Sequence, residues 1–352
     1  MSRDLPARRL RAQRLTGNPL PGVVDVVRWM VAVQAQDYGA AKWALAQRTG
    51  GVTEAEVDRL FDEGAILRTH VMRPTWHFVL PEDIRWLLEL TRARSGRGFT
   101  ARHRELRIDP EVVARANEAF GGALAGGRHL TRTELGSVLE AAGVPAEGQR
   151  LAHLLGRAEL DGVIVSGPRR GKQFTYGLLD ERAPAGRALD RAGTLAELTG
   201  RHFRSHGPAQ LGDFTWWSGL AVADARSGIA LAGSLEHETV DGADHWFDAG
   251  SGPEPARPTS PVAHLLPNFD EYTVAYRDRA VLTHPDHPVK PALLSFGSIL
   301  ANVVIVDGGV RGAWSRAGVQ GGVRVAVRPF DRLELSEAAA VEGAGRRLGA
   351  FL

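Results

Sequence analysis

The sequence predicts an α+β protein in which tandem winged helix-turn-helix units precede a β-rich C-terminal domain. Three observations carry that prediction. One helix-start signal recurs: Thr53 with Glu56, Thr131 with Glu134 and Thr194 with Glu197 each form a candidate capping box. In such a box the Thr side chain serves the N–H three residues on while the Glu reaches back. Each box opens a helical stretch that leads on to a pair of short strand-like runs about a turn. Finally, SGPEPARPTSP (residues 251–261) reads as a proline-rich linker, and beyond it the pattern turns to β.

Taken in order, residues 1–90 form the first unit. It holds a helix over 5–14, an apolar run over 23–33 read as a buried helix, and a helix over 40–48. The capped helix TEAEVDRLFDEG and a hairpin from ILRTHVM to TWHFVL complete it. Residues 91–128 are an arginine-rich helical connector. The winged pattern is clearest over residues 129–185. There TRTELGSVLEAAG is stopped by Gly143, and EGQRLAHLLGRAELDG is a second helix with Leu151, Leu154, Leu155 and Ala158 on one face. VIVSG and FTYGLL are strands around the basic loop PRRGKQ, a wing whose Arg169, Arg170 and Lys172 are suited to phosphates while the second helix lies against the duplex. Residues 190–250 repeat the order, ending in a hairpin that turns on Asp241-Gly242. Residues 260–352 form the β-rich domain, with a hairpin tipped by Asp307-Gly308-Gly309 and a closing helix LSEAAAVEGAGRRLGAFL packed on the sheet.

Composition narrows the chemistry. With no cysteine, disulfides, thiol nucleophiles, iron–sulfur clusters and Cys-based zinc sites are excluded. The longest apolar runs fall short of the roughly 20 residues of a membrane span, and the first residues lack the apolar core of a signal peptide. A cytoplasmic protein is expected, away from membranes and with no obligate protein partner. Lysine occurs only at Lys42, Lys172 and Lys290, so nearly every cation is arginine. A GC-rich genome explains most of that bias, but the distribution adds something. Arg3, Arg8, Arg9, Arg11 and Arg14 face only Asp4, and Arg92, Arg94, Arg97, Arg102, Arg104 and Arg107 face only Glu105. Local basic clusters in a chain of net charge +2 point to a polyanion-binding face.

The most informative segment is VQAQDYGA, residues 33–40, where Gln34, Gln36 and Asp37 follow the apolar run. A polar group at the mouth of a buried element must be hydrogen-bonded or it costs a kilocalorie or more. Two readings fit: the amides cap the element, or they point into a cleft and hold a water or a sugar. The segment resembles the Gln-x-Gln catalytic motif of the AlkZ type of bacterial DNA glycosylase. Further blocks resemble that family in the same order. They are ILRTHVMRPTWHFVLPEDIRWLL, with Arg68 and Arg73-Pro74-Thr75-Trp76-His77, then LGDFTWWSGL, LLPNFDEYTVAYRDR and NVVIVDGGVRGAWSR. The resemblance implies tandem winged helices on double-stranded DNA, removal of bulky N7-alkylated purines and unhooking of interstrand crosslinks. It implies Gln34 and Gln36 as the catalytic pair with Asp37 as helper, Arg68, Arg73 and His77 near the nucleic acid, and an open cleft probed by a β-hairpin. The hairpin tipped by Asp307 to Gly309 is the candidate probe.

Other chemistries find little foothold. None of the histidines, His284 and His287 around Asp286 included, has helical ligand spacing, so no metal is expected. No Walker, dinucleotide or G-x-S-x-G pattern occurs, so no cofactor is expected either. Asp270 and Glu271 are adjacent and on a strand would face opposite ways, which argues against paired acid–base work; an ion pair of Asp270 or Asp278 with Arg277 or Arg279 is expected instead. Trp216 and Trp217 read as core.

Glutamine is a poor acid and base, but a purine alkylated at N7 or N3 is cationic and needs no general acid to leave. What remains is to stabilise an oxocarbenium-like sugar and position a water, which two preorganised amide dipoles can do. Only Lys42 lies near the motif, so a monofunctional glycosylase is expected rather than a Schiff-base lyase. The alternative is a non-catalytic winged-helix DNA-binding protein or transcriptional regulator.

Overall fold

The computed structural model describes residues 5–73, 75–183, 186, 188–251, 260–283, 302–319 and 322–352. Most of the expected linker, Pro74, the His284–Asp286–His287 group and Lys290 lie outside these residues.

The chain begins with α1 (Leu5–Ala12), α2 (Val23–Met30), the short strand β1 (Ala32–Gln34), α3 (Tyr38–Ala46) and α4 (Glu54–Glu63). β2 (Leu67–Val71) and β3 (Thr75–Val79) follow, then α5 (Ile84–Ser95), α6 (Arg97–Glu105) and α7 (Pro110–Leu124). Next come β4 (Leu130–Thr131), α8 (Arg132–Ala141), α9 (Gln149–Leu160), β5 (Ile164–Ser166), β6 (Thr175–Leu178) and α10 (Leu179–Arg182). The remainder is α11 (Arg191–His206), α12 (Leu211–Ser218), α13 (Val222–Leu231), β7 (Leu235–Val240), β8 (Ala243–Asp248), β9 (Ala263–Leu266), α14 (Glu271–Val274), β10 (Val303–Val306), β11 (Gly309–Val319), β12 (Gly322–Pro329) and α15 (Leu335–Phe351). Helix and strand are mixed, as expected of an α+β chain.

Two compact units result, and they are not consecutive in sequence. The first comprises residues 1–57, 196–217 and 221–352; the second comprises 58–195 with 218–220. This differs from the string of successive units expected from the sequence, because the N-terminal helices fold with the C-terminal β region.

In the second unit, Asp109 caps α7 by accepting the Val112 N–H, with Pro110 in the first turn where its missing donor costs nothing. Thr131 and Glu134 make the expected capping box. Between these helices and β5 lies one core, in which Phe120, Leu124, Leu135, Leu139, Leu154, Leu155 and Ile164 are buried. β4, β6 and β5 form a three-stranded antiparallel sheet in that order, and β2 pairs antiparallel with β3. β4 was not expected; two residues give too short a run to alternate.

In the first unit, β9 to β12 form a four-stranded antiparallel sheet in the order β12-β11-β10-β9. α15 closes on it through Arg311 of β11, whose guanidinium meets both carboxylate oxygens of Glu337 at 2.9 and 3.1 Å. The core here joins Leu10 and Leu15 to Leu266, Tyr272, Val303, Ile305 and Val310. The expected capping box at Thr194 and Glu197 is absent. Instead α11 starts three residues earlier, where Asp190 accepts the Gly193 N–H at 2.7 Å, and Thr194 bonds back to the Arg191 carbonyl. The N-terminal arginines, expected on a polyanion-binding face, partly serve the core. Arg9 is buried, donates to the Pro208 carbonyl at 2.9 Å and stacks over Tyr276, while Arg8 pairs with Glu238.

His264 on β9 is buried, and burial, reinforced by Arg347 and Arg48, pushes its imidazole down to about 3. Its folded-state value thus lies below the ordinary 6.5, so the unfolded chain takes up the proton first as pH falls. Stability should decline below pH 6.5 by about 1.4 kcal/mol per pH unit from this residue, down towards its folded value. His202, fully buried and shifted the same way by burial, should add to the slope. Urea unfolding from pH 7 to 5 tests this: His264→Gln should give a shallower pH dependence, and an unchanged one would refute it.

Candidate active site

The apolar run 23–33 is not one helix. α2 buries Val23, Val26, Val27 and Met30 at helical spacing, with Asp25 and Arg28 outward. The chain then turns at Val31, whose φ of 70° is rare for a β-branched residue. Backbone held in such a conformation persists where its surroundings over-determine it, commonly at functional sites. The turn converts helix to strand, so Gln34 ends β1 instead of capping a helix.

Gln34 is 3% exposed. Its backbone N–H donates to Glu271 Oε1 at 2.7 Å, and its side-chain Oε1 is buried without a hydrogen-bond partner among the described residues. Gln36, two residues on, is exposed. Asp37 is the N-cap of α3, accepting the Ala40 N–H at 3.1 Å, so the residue expected as an electrostatic helper also starts a helix. Lys42 is 4% exposed and lies 2.8 Å from Glu54, held in an ion pair.

The acidic pair expected on a strand sits instead at the start of α14, with Asp270 as N-cap and both side chains fully buried. Asp270 meets Arg48, not Arg277 or Arg279, through two bonds of 2.9 Å. Glu271 Oε2 accepts the indole N–H of Trp217 at 3.0 Å and lies 3.5 Å from His206 Nε2. The sequence set Glu271 aside on the expectation of a strand, whereas the start of α14 leaves both neighbours buried. Sequence reading also missed Arg316: a Cβ at Gly39 would meet that guanidinium at 3.2 Å, so the bare glycine gives the β11 arginine room beside the motif.

The hairpin expected to probe DNA is not a free tip. Asp307 accepts the Val262 N–H, the Tyr272 hydroxyl donates to the Gly308 carbonyl at 3.0 Å, and a Cβ at Gly308 would stand 2.6 Å from Pro6. The exposed ribbon is β11–β12, carrying Arg316, Arg324 and Arg328.

The remaining expected DNA-binding residues belong to the second unit. Arg68 of β2 stacks over Trp76 at 4.3 Å and Phe174 at 5.0 Å. Arg73 is half-buried in the β2–β3 turn. His77 is fully buried, its Nδ1 2.9 Å from the Thr75 carbonyl, so an imidazole expected near nucleic acid lies in the interior. The wing arginines are engaged within their own unit. Arg169 pairs with Asp58 and Arg170 with Glu134, each at 2.7 Å, because acidic side chains of α4 and α8 stand opposite. Lys172 is exposed. α9, expected against the duplex, is buried around most of its C-terminal half, where Glu159 meets His70 of β2. Arg92, Arg94, Arg102, Arg104 and Arg107 of the second basic cluster are exposed. Among the described residues no group of three or more His, Asp or Glu side chains could hold a metal ion, and no helix is long and apolar enough to cross a membrane.

Comparison with known proteins finds similarity along almost the whole chain. A family model described as DNA glycosylase AlkZ-like matches residues 27–351. The interstrand DNA cross-link repair glycosylase of Streptomyces sahachiroi is 26% identical over 97% of this chain and 93% of its own length. The solved structure of Streptomyces sahachiroi DNA glycosylase AlkZ superposes with a TM-score of 0.79 at 24% identity, covering 99% of this chain and 95% of that one.

Proposed function

Because the chain belongs to the AlkZ-like DNA glycosylase family, we propose that Gln34 and Gln36 hydrolyse the N-glycosidic bond of purines made cationic by alkylation at N7 or N3. One observation carries this reading: the buried Gln34 Oε1 has no hydrogen-bond partner among the described residues. A buried acceptor left unpaired costs about 1–3 kcal/mol, a cost that a ligand, or a water brought with it, offsets by supplying the donor. A cationic base leaves without a general acid, so an amide oxygen aimed at the sugar or its attacking water supplies what remains to be stabilised. Lys42, buried on Glu54, is ill placed for a Schiff base, which supports a monofunctional enzyme leaving an abasic site. The name of the Streptomyces sahachiroi relative extends the proposal to interstrand crosslinks. The test is direct: purified protein should release 7-methylguanine from alkylated duplex without added metal or nucleotide. Tight DNA binding with no base released from any alkylated substrate would refute it.

The order α7–β4–α8–α9–β5–β6, with its three-stranded sheet, supports a winged-helix reading of residues 110–178. Phosphate contact falls to the exposed cations: Arg316, Arg324 and Arg328 on the β11–β12 ribbon, and Arg102, Arg104, Arg107 and Lys172. Log affinity for random duplex should fall with log salt by about 0.9 per phosphate contact. Arg324→Ala with Arg328→Ala should shallow that slope more than Arg169→Ala with Arg170→Ala, whose side chains are already paired. The reverse order would return the wing to the interface.

A further inference from the structure

We propose that Glu271 is a positioning residue for the Gln34 amide, an inference that rests on the glycosylase reading above. Its two carboxylate oxygens have separate tasks. Oε1 accepts the Gln34 backbone N–H at 2.7 Å, and Oε2 accepts the Trp217 indole N–H at 3.0 Å. The carboxylate thus ties the end of β1 to α12.

That anchor is rigid for identifiable reasons. Trp217 packs against the rings of His202 at 4.7 Å and His206 at 5.2 Å, and those two imidazoles stack on each other at 4.7 Å with planes 10° apart. Phe214 closes on His202 at 4.8 Å, and the Ser205 hydroxyl fixes His206 Nδ1 at 2.8 Å. All of these side chains are buried. On the other side, Glu271 follows Phe269, whose φ of 63° turns the chain so that Asp270 can cap α14 and Glu271 can enter it.

A charge-assisted bond to the Gln34 N–H is shorter and stronger than a neutral one. It holds the backbone from which the unpartnered Oε1 projects. Burying a carboxylate costs several kilocalories per mole unless its bonds are well made. Here its bonds include one main-chain N–H of the motif and one indole N–H, with His206 Nε2 3.5 Å away, an arrangement suited to holding an amide within a fraction of an ångström. Displacement of a reacting group by about 1 Å can cost 100-fold in rate. Glu271 touches neither sugar nor water in this scheme; it acts through Gln34.

The full-length protein tests this with single-turnover release of 7-methylguanine and a parallel measurement of DNA affinity. Glu271→Gln keeps one acceptor but presents an amide N–H to a donor, and should slow release roughly 10- to 100-fold with affinity within about twofold. The deciding variant is Gln34→Ala with Glu271→Gln: it should be no slower than Gln34→Ala alone, because the lost position then has no amide to serve. Should Glu271→Gln fail to fold, Trp217→Phe removes the second anchor and should slow release by about 3- to 10-fold, again only while Gln34 is present. Wild-type rates in Glu271→Gln, or losses that multiply with Gln34→Ala, overturn the inference while leaving the glycosylase intact. A wild-type protein that binds alkylated duplex and releases nothing overturns both.

Discussion

Gln34→Ala is expected to lower the single-turnover rate of base release by roughly 100- to 1,000-fold, the range for removing one preorganised dipole from a water-poor site. The magnitude follows from burial: at 3% exposure the amide acts where water does not screen it. Gln36→Ala should cost less, about 10-fold, because an exposed amide competes with solvent for the same interaction. Asp37→Asn should change the rate least, since the neutral side chain can still cap α3. DNA affinity should barely move in any of the three, being set by many phosphate contacts. Gel-resolved abasic-site formation with excess enzyme, alongside anisotropy for binding, separates the two quantities. A Gln34→Ala protein with the parent rate would make the amide a mere end to β1.

How far the sequence could be read depended on how local each signal was. The Thr131–Glu134 box, the Asp241-Gly242 turn and the closing helix are determined within a few residues, and each is where the pattern put it. The Thr194–Glu197 box failed for an instructive reason: Asp190 offers the same cap one turn earlier, and a helix takes the first adequate start. The run 23–33 misled because apolarity reports burial and not conformation. Only the turn at Val31, a tertiary consequence, divides α2 from β1.

The site was legible in part. Gln34 was singled out through a motif, but its backbone N–H is held by a carboxylate 237 residues away. Nothing in local pattern couples residue 34 to residue 271. The basic clusters taught a similar lesson. Arg8, Arg9, Arg48 and Arg311 are cations whose acidic partners lie far along the chain, so their charge is spent inside the fold. Counting arginines pointed to a polyanion-binding face; it could not say which arginines remain outside.

Of those interior cations, Arg48 should carry the largest stability effect. Its side chain, 2% exposed, uses every N–H it has: Nε to the Gln13 carbonyl, one terminal nitrogen to the Ala44 carbonyl and Asp270 Oδ2, the other to Gln13 Oε1 and Asp270 Oδ1. Asp270 in turn accepts the Tyr272 N–H at 2.9 Å and caps α14. Asp270→Asn leaves the guanidinium buried without its counter-charge, a loss of about 3–5 kcal/mol. For a domain of this size that corresponds to a fall in Tm of roughly 10 °C. Replacing both members, Arg48→Met with Asp270→Leu, should recover much of the stability, since a buried pair often does little better than apolar residues of like volume. Activity should not recover with it, because Asp270 also sets the turn that presents Glu271 to Gln34. The exposed Arg346–Glu342 pair is the control, and Glu342→Gln should leave Tm unchanged. If Asp270→Asn melts with the parent protein, the pair is not the brace described. If the double variant regains full activity, the turn at Asp270 is not what positions the amide.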